Sequence, residues 1–234
     1  MNKKRFLRIF FPERCKNCGE IIPIEKEECD CLKKRAIRIS DEFCEHCGQS
    51  QENCVCHFEN SVKLSHITAV FIYTGGVKEM ISQLKFSRDK NSVPFLSYEM
   101  ARRFRASFPS VNADTVTCVP CGKKTLEERG YNQSRLLALR VAKLLKTDYE
   151  DLLIKTKDTH FQHNLSADER AINLKDAFAV ADKNLIKGKT IILCDDIKTT
   201  GNTLYNCSNE LYKAGAKEVY CLCAALSDFM KLPF

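Results

Sequence analysis

A single run of fourteen residues, 191–204 (IILCDDIKTTGNTL), constrains the fold of this chain more than any other part of the sequence. Its first three residues are apolar and favour a strand buried on both faces of a parallel sheet. Asp195 and Asp196 then end the predicted strand, and we expect them to face a crevice because burying unpaired carboxylates is costly. A polar loop with one glycine follows, and a helix begins at Asn202 or Thr203. The run therefore predicts a strand, a ligand loop and a helix in direct succession.

The chemistry of this loop suits a sugar phosphate. Adjacent carboxylates can accept hydrogen bonds from two ribose hydroxyls, and loop hydroxyls with free helix N–H groups suit a phosphate. The alternative, an acidic strand end before an ordinary capped helix, explains each feature singly. The complete combination resembles the phosphoribosyl pyrophosphate (PRPP) signature of type I phosphoribosyltransferases. By that resemblance, Asp195 and Asp196 hold the ribose hydroxyls, and the residues that bind the 5-phosphate are Thr199, Thr200, Gly201, Asn202 and Thr203.

The length and composition are those of an ordinary globular protein. The chain has 234 residues, 44% of them hydrophobic, which is enough for a substantial core in one or two domains. Its apolar runs are shorter than the roughly 20 residues that a membrane helix needs, and its first residues lack a signal-peptide core. We therefore expect a cytoplasmic protein without a membrane span, which reaches the inner face of the membrane only through partners.

The cysteines divide the chain into two regions, a head (residues 1–60) and a main domain (residues 61–234). Of 14 cysteines, eight lie in the head. The head has 11 basic and 11 acidic residues, so the net charge of +7 belongs to the main domain. Residues 78–146 alone contain 14 basic and 6 acidic residues, a field that would attract PRPP, pyrophosphate or nucleic acid. An ordinary solvated surface explains any single one of these cations equally well.

The head contains two tandem cysteine units, each a Cys-x-x-Cys-Gly knuckle followed by a Cys-x-Cys pair. Four thiolates per unit fit one tetrahedral zinc ion, and disulfides are disfavoured in a cytosolic chain. Zinc must then supply much of the folding energy, because the head has few apolar residues. The alternatives are cross-brace ligation and replacement of one ligand by His46 or His57. The predicted sequential ligand sets are Cys15, Cys18, Cys29 and Cys31, then Cys44, Cys47, Cys54 and Cys56.

Strand and helix signals alternate through the main domain and predict a doubly wound, parallel α/β sheet. Ligands of such a sheet bind at the carboxyl ends of its strands. The predicted strands cover residues 67–73, 116–119, 152–155, 191–193 and 219–224, and the predicted helices cover 77–86, 92–104, 134–145 and the stretch that ends at 213.

The segment after the second of these strands is a candidate pyrophosphate loop. Its glycine lets backbone amides approach a ligand, and its two lysines counter the charge. One alternative is a plain basic loop. Another is redox chemistry, because Cys118 and Cys121 form a Cys-x-x-Cys pair. The loop residues are Pro120, Cys121, Gly122, Lys123 and Lys124.

A polar stretch at about 156–178 is too long for an ordinary connection and is the candidate active-site lid. Its most useful hydrogen-bond donors are Gln162, Arg170 and Asn173. A helix that begins at Ser166 with a capping box is the structural alternative for its second half, and it is compatible with a lid.

Taken together, these motifs resemble the ComF family of competence proteins, a phosphoribosyltransferase branch with an N-terminal double zinc ribbon. The motifs that carry the resemblance are the paired knuckles, Lys85-Phe86 before Arg88-Asp89, Val119-Pro120, ERGYNQ from Glu128, the lid sequence from Asp158, and DDIKTTGNT from Asp195. The resemblance implies a type I phosphoribosyltransferase fold, PRPP recognition with Mg²⁺, and a role in the uptake of single-stranded DNA during natural transformation.

Whether such a protein transfers the phosphoribosyl group stays open, because no residue identifies an acceptor. One alternative is a non-catalytic protein that binds single-stranded DNA. The other is a scaffold for a competence helicase that moves DNA, in which the PRPP pocket is vestigial.

Overall fold

The computed structural model describes residues 11–15, 18–26, 29–39, 42–44, 47–48, 54, 66–156 and 177–227. Within them, none of the helices is long and apolar enough to cross a membrane. The helices are α1 (Cys31–Lys34), α2 (Gly75–Phe86), α3 (Val93–Ser107), α4 (Lys123–Arg129), α5 (Gln133–Leu145) and α6 (Asn202–Lys213). The strands are β1 (His66–Ile72), β2 (Thr115–Cys118), β3 (Asp148–Tyr149), β4 (Leu153–Lys155), β5 (Phe178–Val180), β6 (Thr190–Lys198) and β7 (Glu218–Leu226).

Five strands form one parallel sheet in the order β1-β7-β6-β2-β3, with helices on both faces. Successive residues of β6 point to opposite faces. Ile192 packs in a cluster with residues of α2, α3 and α5, whereas Ile191 and Leu193 pack in a second cluster with residues of α6. Apolar residues on both faces are typical of a strand in the middle of a covered parallel sheet. The predicted doubly wound α/β architecture is confirmed.

The sheet has a topological switch point between β6 and β2. The chain leaves β2 toward the edge strand β3, whereas it leaves β6 in the opposite direction, toward β7. The register pairs Cys118, the last residue of β2, with Cys194. The next two residues of β6, Asp195 and Asp196, therefore extend beyond the end of β2. Crevices at such points are where ligands of doubly wound sheets bind.

Two of the predicted strands differ from the sequence-based expectation. The central strand does not end at Asp195 and Asp196 but continues to Lys198, because β7 still pairs with it there. The strand predicted at 152–155 lies outside the parallel sheet and pairs antiparallel with β5. Only Leu153 of β4 is buried, and such alternation favours an antiparallel strand with one solvated face.

The head packs directly on the edge of the sheet at β1. Backbone hydrogen bonds of 2.9 Å join Ile37 to Ile72 and Ile39 to Val70. The helix α2 also approaches α1 closely, since a Cβ atom built on Gly76 would lie 2.0 Å from the carbonyl oxygen of Leu32. The head thus covers a strand edge that would otherwise have unpaired backbone groups.

Candidate functional site

The two acids of β6 form a nearly buried pair, with Asp195 8% and Asp196 4% exposed. Asp195 Oδ1 accepts hydrogen bonds from Ser134 Oγ at 2.7 Å and from the backbone N–H of Asp196 at 2.8 Å. Asp196 Oδ2 has no hydrogen-bond partner among the described residues, although the ammonium of Lys85 lies 2.8 Å away as an ion pair. Burial and the neighbouring charge of Asp196 raise the pKa of Asp195 to about 7. Such a perturbed pair in a crevice is typical of a ligand site.

The start of α5 positions Ser134 and also fixes the chain that leaves β2. Asn132 is the N-cap residue, and its Oδ1 accepts from the backbone N–H groups of Ser134 at 2.9 Å and Arg135 at 3.4 Å. Its Nδ2 donates to the carbonyl oxygen of Val119 at 2.9 Å. The Asn132 side chain therefore links the start of α5, which contacts Asp195, to the residue that follows β2.

Sequence reasoning did not assign Lys85 or Ser134 to the site. Lys85 belongs to one of the motifs that carry the family resemblance, so the sequence could have indicated a role for it in the site. Nothing in the sequence indicated such a role for Ser134, because its contact with Asp195 joins residues 61 positions apart.

A buried lysine at the end of β6 lies beside a glycine turn in the loop that follows. Gly201 has a left-handed φ of +88°, and a Cβ atom there would lie 3.2 Å from Cε and 3.7 Å from Nζ of Lys198. Lys198 is only 7% exposed, yet its ammonium forms no ion pair with any residue in the described part of the chain. Gly201 is also the N-cap residue of α6 and provides no side-chain cap. Helix N–H groups beside an unpaired cation favour a phosphate.

The other residues of the 199–203 loop connect β6 to the first turn of α6, as the sequence predicts. Thr199 and Thr200 are exposed, Asn202 and Thr203 are partly buried in the first turn of α6, and Asn202 N–H donates to Thr200 Oγ1 at 3.4 Å. Among the described residues, Lys198 is the cation nearest to the loop glycine.

The candidate pyrophosphate loop, residues 120–124, joins β2 to α4 at the same end of the sheet as the two acids. Gly122 is buried as the N-cap residue of α4, and Lys123 and Lys124 are exposed. Burial raises the pKa of the Cys118 thiol to about 12 and also raises that of Cys121. Thiols with raised pKa values are poor nucleophiles, so the redox alternative for this pair is disfavoured.

The lid residues Gln162, Arg170 and Asn173 lie outside the described residues, as does the segment 157–176 as a whole. The same holds for Cys56 and for the alternative head ligands His46 and His57.

The head brings its cysteines together in two groups that could each hold a metal ion. The sulfur atoms of the first group lie within 4.8 Å of one another, and those of the second group do so as well. Partial burial and the neighbouring thiols raise the pKa of Cys31 to about 12, so thiolates would gather here only around a cation. Sulfur donors in this arrangement fit zinc. The groups are Cys15, Cys18, Cys29 and Cys31, then Cys44, Cys47 and Cys54, which is the predicted sequential order.

The fold and these loops define the class: an α/β protein of the phosphoribosyltransferase type with a cysteine-rich N-terminal module. Comparison with known proteins agrees, since the phosphoribosyl transferase domain family matches residues 132–228, which contain α5, β6 and α6.

Curated relatives narrow the class to one family. The chain is 30% identical over 203 residues to the DNA utilization protein YhgH of Escherichia coli, covering 82% of this chain and 88% of the relative. It is 28% identical over 219 residues to competence protein F of Haemophilus influenzae, covering 90% and 95%. It is 26% identical over 200 residues to competence protein ComFC of Bacillus subtilis, covering 82% and 80%. The chain belongs to the ComF family of competence and DNA utilization proteins, as its motifs predicted.

Solved structures show more distant likenesses. Adenine phosphoribosyltransferase from Saccharomyces cerevisiae is 18% identical with a TM-score of 0.40, covering 62% of this chain and 74% of the enzyme. Glutamine PRPP amidotransferase from Bacillus subtilis is 22% identical with a TM-score of 0.42, covering 61% of this chain and only 30% of that enzyme. These likenesses are too distant to indicate a function.

Proposed function

We propose that this protein binds PRPP with Mg²⁺ at the carboxyl end of β6. The observation that carries the proposal is Lys198, a residue only 7% exposed that has no ion-pair partner among the described residues and lies against the glycine of the 199–203 loop. It follows the buried pair Asp195 and Asp196 on the same strand. An anion site and a pair of hydroxyl acceptors side by side match a ribose 5-phosphate.

Each part of the ligand has candidate partners. Asp195 and Asp196 accept hydrogen bonds from the ribose hydroxyls, and Asp196 Oδ2 is the acceptor that lacks a hydrogen bond from the described residues. Lys198 and the N–H groups at the start of α6 bind the 5-phosphate. At about 3.3 Å per residue of strand, Asp196 and Lys198 are about 7 Å apart along β6, a span that suits a sugar phosphate.

The loop at residues 120–124 binds the pyrophosphate, with Lys123 and Lys124 as counter-charges. Mg²⁺ usually enters such sites on the substrate phosphates and needs only one or two protein carboxylates, which Asp195 and Asp196 supply. Displacement of pyrophosphate from C1 of the PRPP ribose requires that the protein position the reactants and stabilise the developing charge. It does not require a protein side chain that bonds covalently to the substrate. The same residues would therefore support transfer to an acceptor. Gln162, Arg170 and Asn173 remain predicted donors to the bound ligand.

The cellular role that we propose is the handling of single-stranded DNA in uptake or utilization, because the relatives are named for competence and DNA utilization. In this role the head, with two structural zinc ions, braces the main domain and offers a surface to DNA or to a competence helicase. Partners of this kind would bring the protein to the inner face of the membrane.

Calorimetric titration of PRPP with Mg²⁺ tests the binding site. The wild type is compared with Asp195→Asn/Asp196→Asn and with the control Asp151→Asn, whose carboxylate lies in an exposed ion pair with Arg135. We expect micromolar binding to the wild type and the control and loss of binding to the double variant, with folding of each verified by circular dichroism. A well-folded wild type that does not bind PRPP would refute the proposal.

A further inference from the structure

A cavity of about 190 Å³ adjoins the acid pair at Lys85 and is not used by the ligand contacts proposed above. It is open to solvent and is far larger than the roughly 15 Å³ that one water molecule needs. It lies between the end of α2 and α4. Its lining residues are Lys85, Phe86, Arg88, Thr125, Glu128 and Arg129.

The walls of this cavity are held in place by hydrogen bonds between its two sides. Arg88 Nη2 donates to the carbonyl oxygen of Glu128 at 2.9 Å, and Tyr131 Oη donates to the carbonyl oxygen of Leu84 at 2.6 Å. Arg88 also has a left-handed φ of +55°, which is uncommon for a residue with a long side chain. Backbone strain of this kind persists where the surroundings hold it and is common at ligand sites. The cavity is therefore preformed, which lowers the entropic cost of binding.

An exposed aromatic ring forms part of the lining. Phe86 is 77% exposed, so packing in the core does not explain it. The guanidinium of Arg129 lies 5.8 Å from the centre of its ring. Exposed aromatic rings among cations are typical of sites that stack a nucleobase, whereas a site for pyrophosphate alone needs the cations but no ring.

The charge of the lining favours an anion. Lys85 is engaged with Asp196, and the guanidinium of Arg129 donates to Gln133 Oε1 while it remains in the lining. The three cations, including Arg88, exceed the single acid, Glu128. An excess of arginines beside an aromatic ring suits a phosphate that is attached to a base.

We propose that this cavity binds a nucleotide unit, with the base against Phe86 and the phosphate on Arg88 and Arg129. The unit is either a free nucleotide or one nucleotide of single-stranded DNA, and both have the same chemistry. Its placement beside a bound PRPP rests on the function proposed above, whereas nucleotide binding itself does not require that function.

Binding of two probes to the full-length protein tests the proposal. The probes are deoxyadenosine 5′-monophosphate and a five-nucleotide deoxyadenosine oligomer, titrated by calorimetry into the wild type, Phe86→Ala and Arg88→Asn. Asparagine is chosen because it tolerates the left-handed φ. The matched control is Tyr98→Ala, which removes a ring that is 56% exposed on α3. PRPP and both probes are also titrated into Asp195→Asn/Asp196→Asn, so that the two sites are tested separately.

We expect at least one probe to bind the wild type, and Phe86→Ala to weaken its binding about 5- to 100-fold through lost stacking. Arg88→Asn should also weaken it, whereas Tyr98→Ala and the double aspartate variant should retain it. If both probes bind, a free nucleotide is sufficient to occupy the cavity. If only the oligomer binds, the ligand of the cavity is a nucleotide within single-stranded DNA.

Two results would overturn the proposal: no binding of either probe, or binding that does not depend on Phe86. Loss of probe binding in the double aspartate variant alone would place the nucleotide in the 199–203 loop instead. Failure of PRPP to bind the wild type, with Phe86-dependent probe binding intact, would reject the PRPP site and leave the nucleotide pocket standing.

Discussion

The ammonium of Lys85 lies 2.8 Å from Asp196 Oδ2 and joins the last turn of α2 to the central strand. Among the described residues, it is the closest cation to a pair of carboxylates that are almost fully buried. The proposed ribose site and the proposed nucleotide pocket also meet at this side chain. The contact therefore matters both to the stability of the acid pair and to the shape of the crevice.

Replacing this cation should destabilise the protein. Removing one partner of a buried ion pair costs about 3–5 kcal/mol, and the 21% exposure of the Lys85 side chain should reduce the loss to the lower end of that range or below it. We expect Lys85→Met to lower the free energy of unfolding in urea at pH 8. Lys78→Met, at an exposed position of the same helix, is the control and should change it little. Equal stability of the two variants would show that Lys85 does not compensate the acids.

Asp195 should make stability depend on pH. Its pKa is raised to about 7 in the folded protein, above the value of about 3.9 expected in the unfolded chain. Between these values the folded state retains a proton that the unfolded state has lost, so stability falls as the pH rises from about 4 to about 7. Asp195→Asn should therefore be more stable than the wild type at pH 8, and this advantage should shrink as the pH falls toward 4. Urea unfolding measured from pH 4 to pH 8 checks this.

Asp151→Asn is a control that should change the stability at pH 8 in the opposite direction to Asp195→Asn. Burial raises the pKa of Asp151, but hydrogen bonds from Arg135 and Tyr149 outweigh it and hold the pKa below its usual value. The ionised Asp151 carboxylate stabilises the protein at any pH above the pKa that this group has in the unfolded chain. Its replacement should therefore destabilise the protein at pH 8. If both asparagine variants shift stability in the same direction at pH 8, the assignment for Asp195 is wrong.

Gly201→Ala should affect both stability and phosphate binding. A left-handed conformation costs a residue with a Cβ atom about 1–2 kcal/mol, and this Cβ would also crowd the Lys198 side chain. Gly188→Ala is a matched control, because Gly188 has a φ of +76° and no atom within 4 Å of an added Cβ. We expect similar losses of stability in thermal unfolding but weaker PRPP binding only for Gly201→Ala. Equal PRPP affinities would indicate that the loop does not bind the 5-phosphate.

The head should contain zinc bound by sequential cysteine sets. Elemental analysis of purified protein should find about two zinc ions per chain, and Cys15→Ser should lose about one of them. Cys118→Ser is the control, because that thiol is buried in β2 and far along the chain from the head groups. A wild type that contains iron, or no metal, would contradict the assignment.

The close approach of α2 to the head gives a separate test of their packing. A Cβ atom on Gly76 would meet the carbonyl oxygen of Leu32 at 2.0 Å, so Gly76→Ala must separate the two segments. We expect faster hydrogen exchange at the backbone N–H groups of Ile39 and Ile72, which bridge the head and β1. Lys78→Ala, exposed on the same helix, should leave both rates unchanged. Unchanged rates in Gly76→Ala would mean that the packing tolerates the added methyl group.

Much of the fold could be predicted because local patterns specify it. The apolar run before Asp195 and the glycine before Asn202 predicted a central strand and the start of α6, and both are confirmed. The strand β3 was missed, since two residues contain too little pattern to detect. The strand β4 was placed in the wrong sheet, because its pairing with β5 depends on residues more than twenty positions away.

The sequence by itself determined the family, and it predicted a candidate site and a sequential grouping of the head cysteines with cross-brace ligation as the alternative, because these depend on residue types at short, fixed spacings. Only the tertiary structure showed that Lys85 and Ser134 meet the acid pair and that Lys198 is buried without an ion-pair partner among the described residues. It also placed Phe86 and Arg88 opposite α4. These relationships join distant segments across a sheet edge, and they arise from how helices pack on strands rather than from any local periodicity.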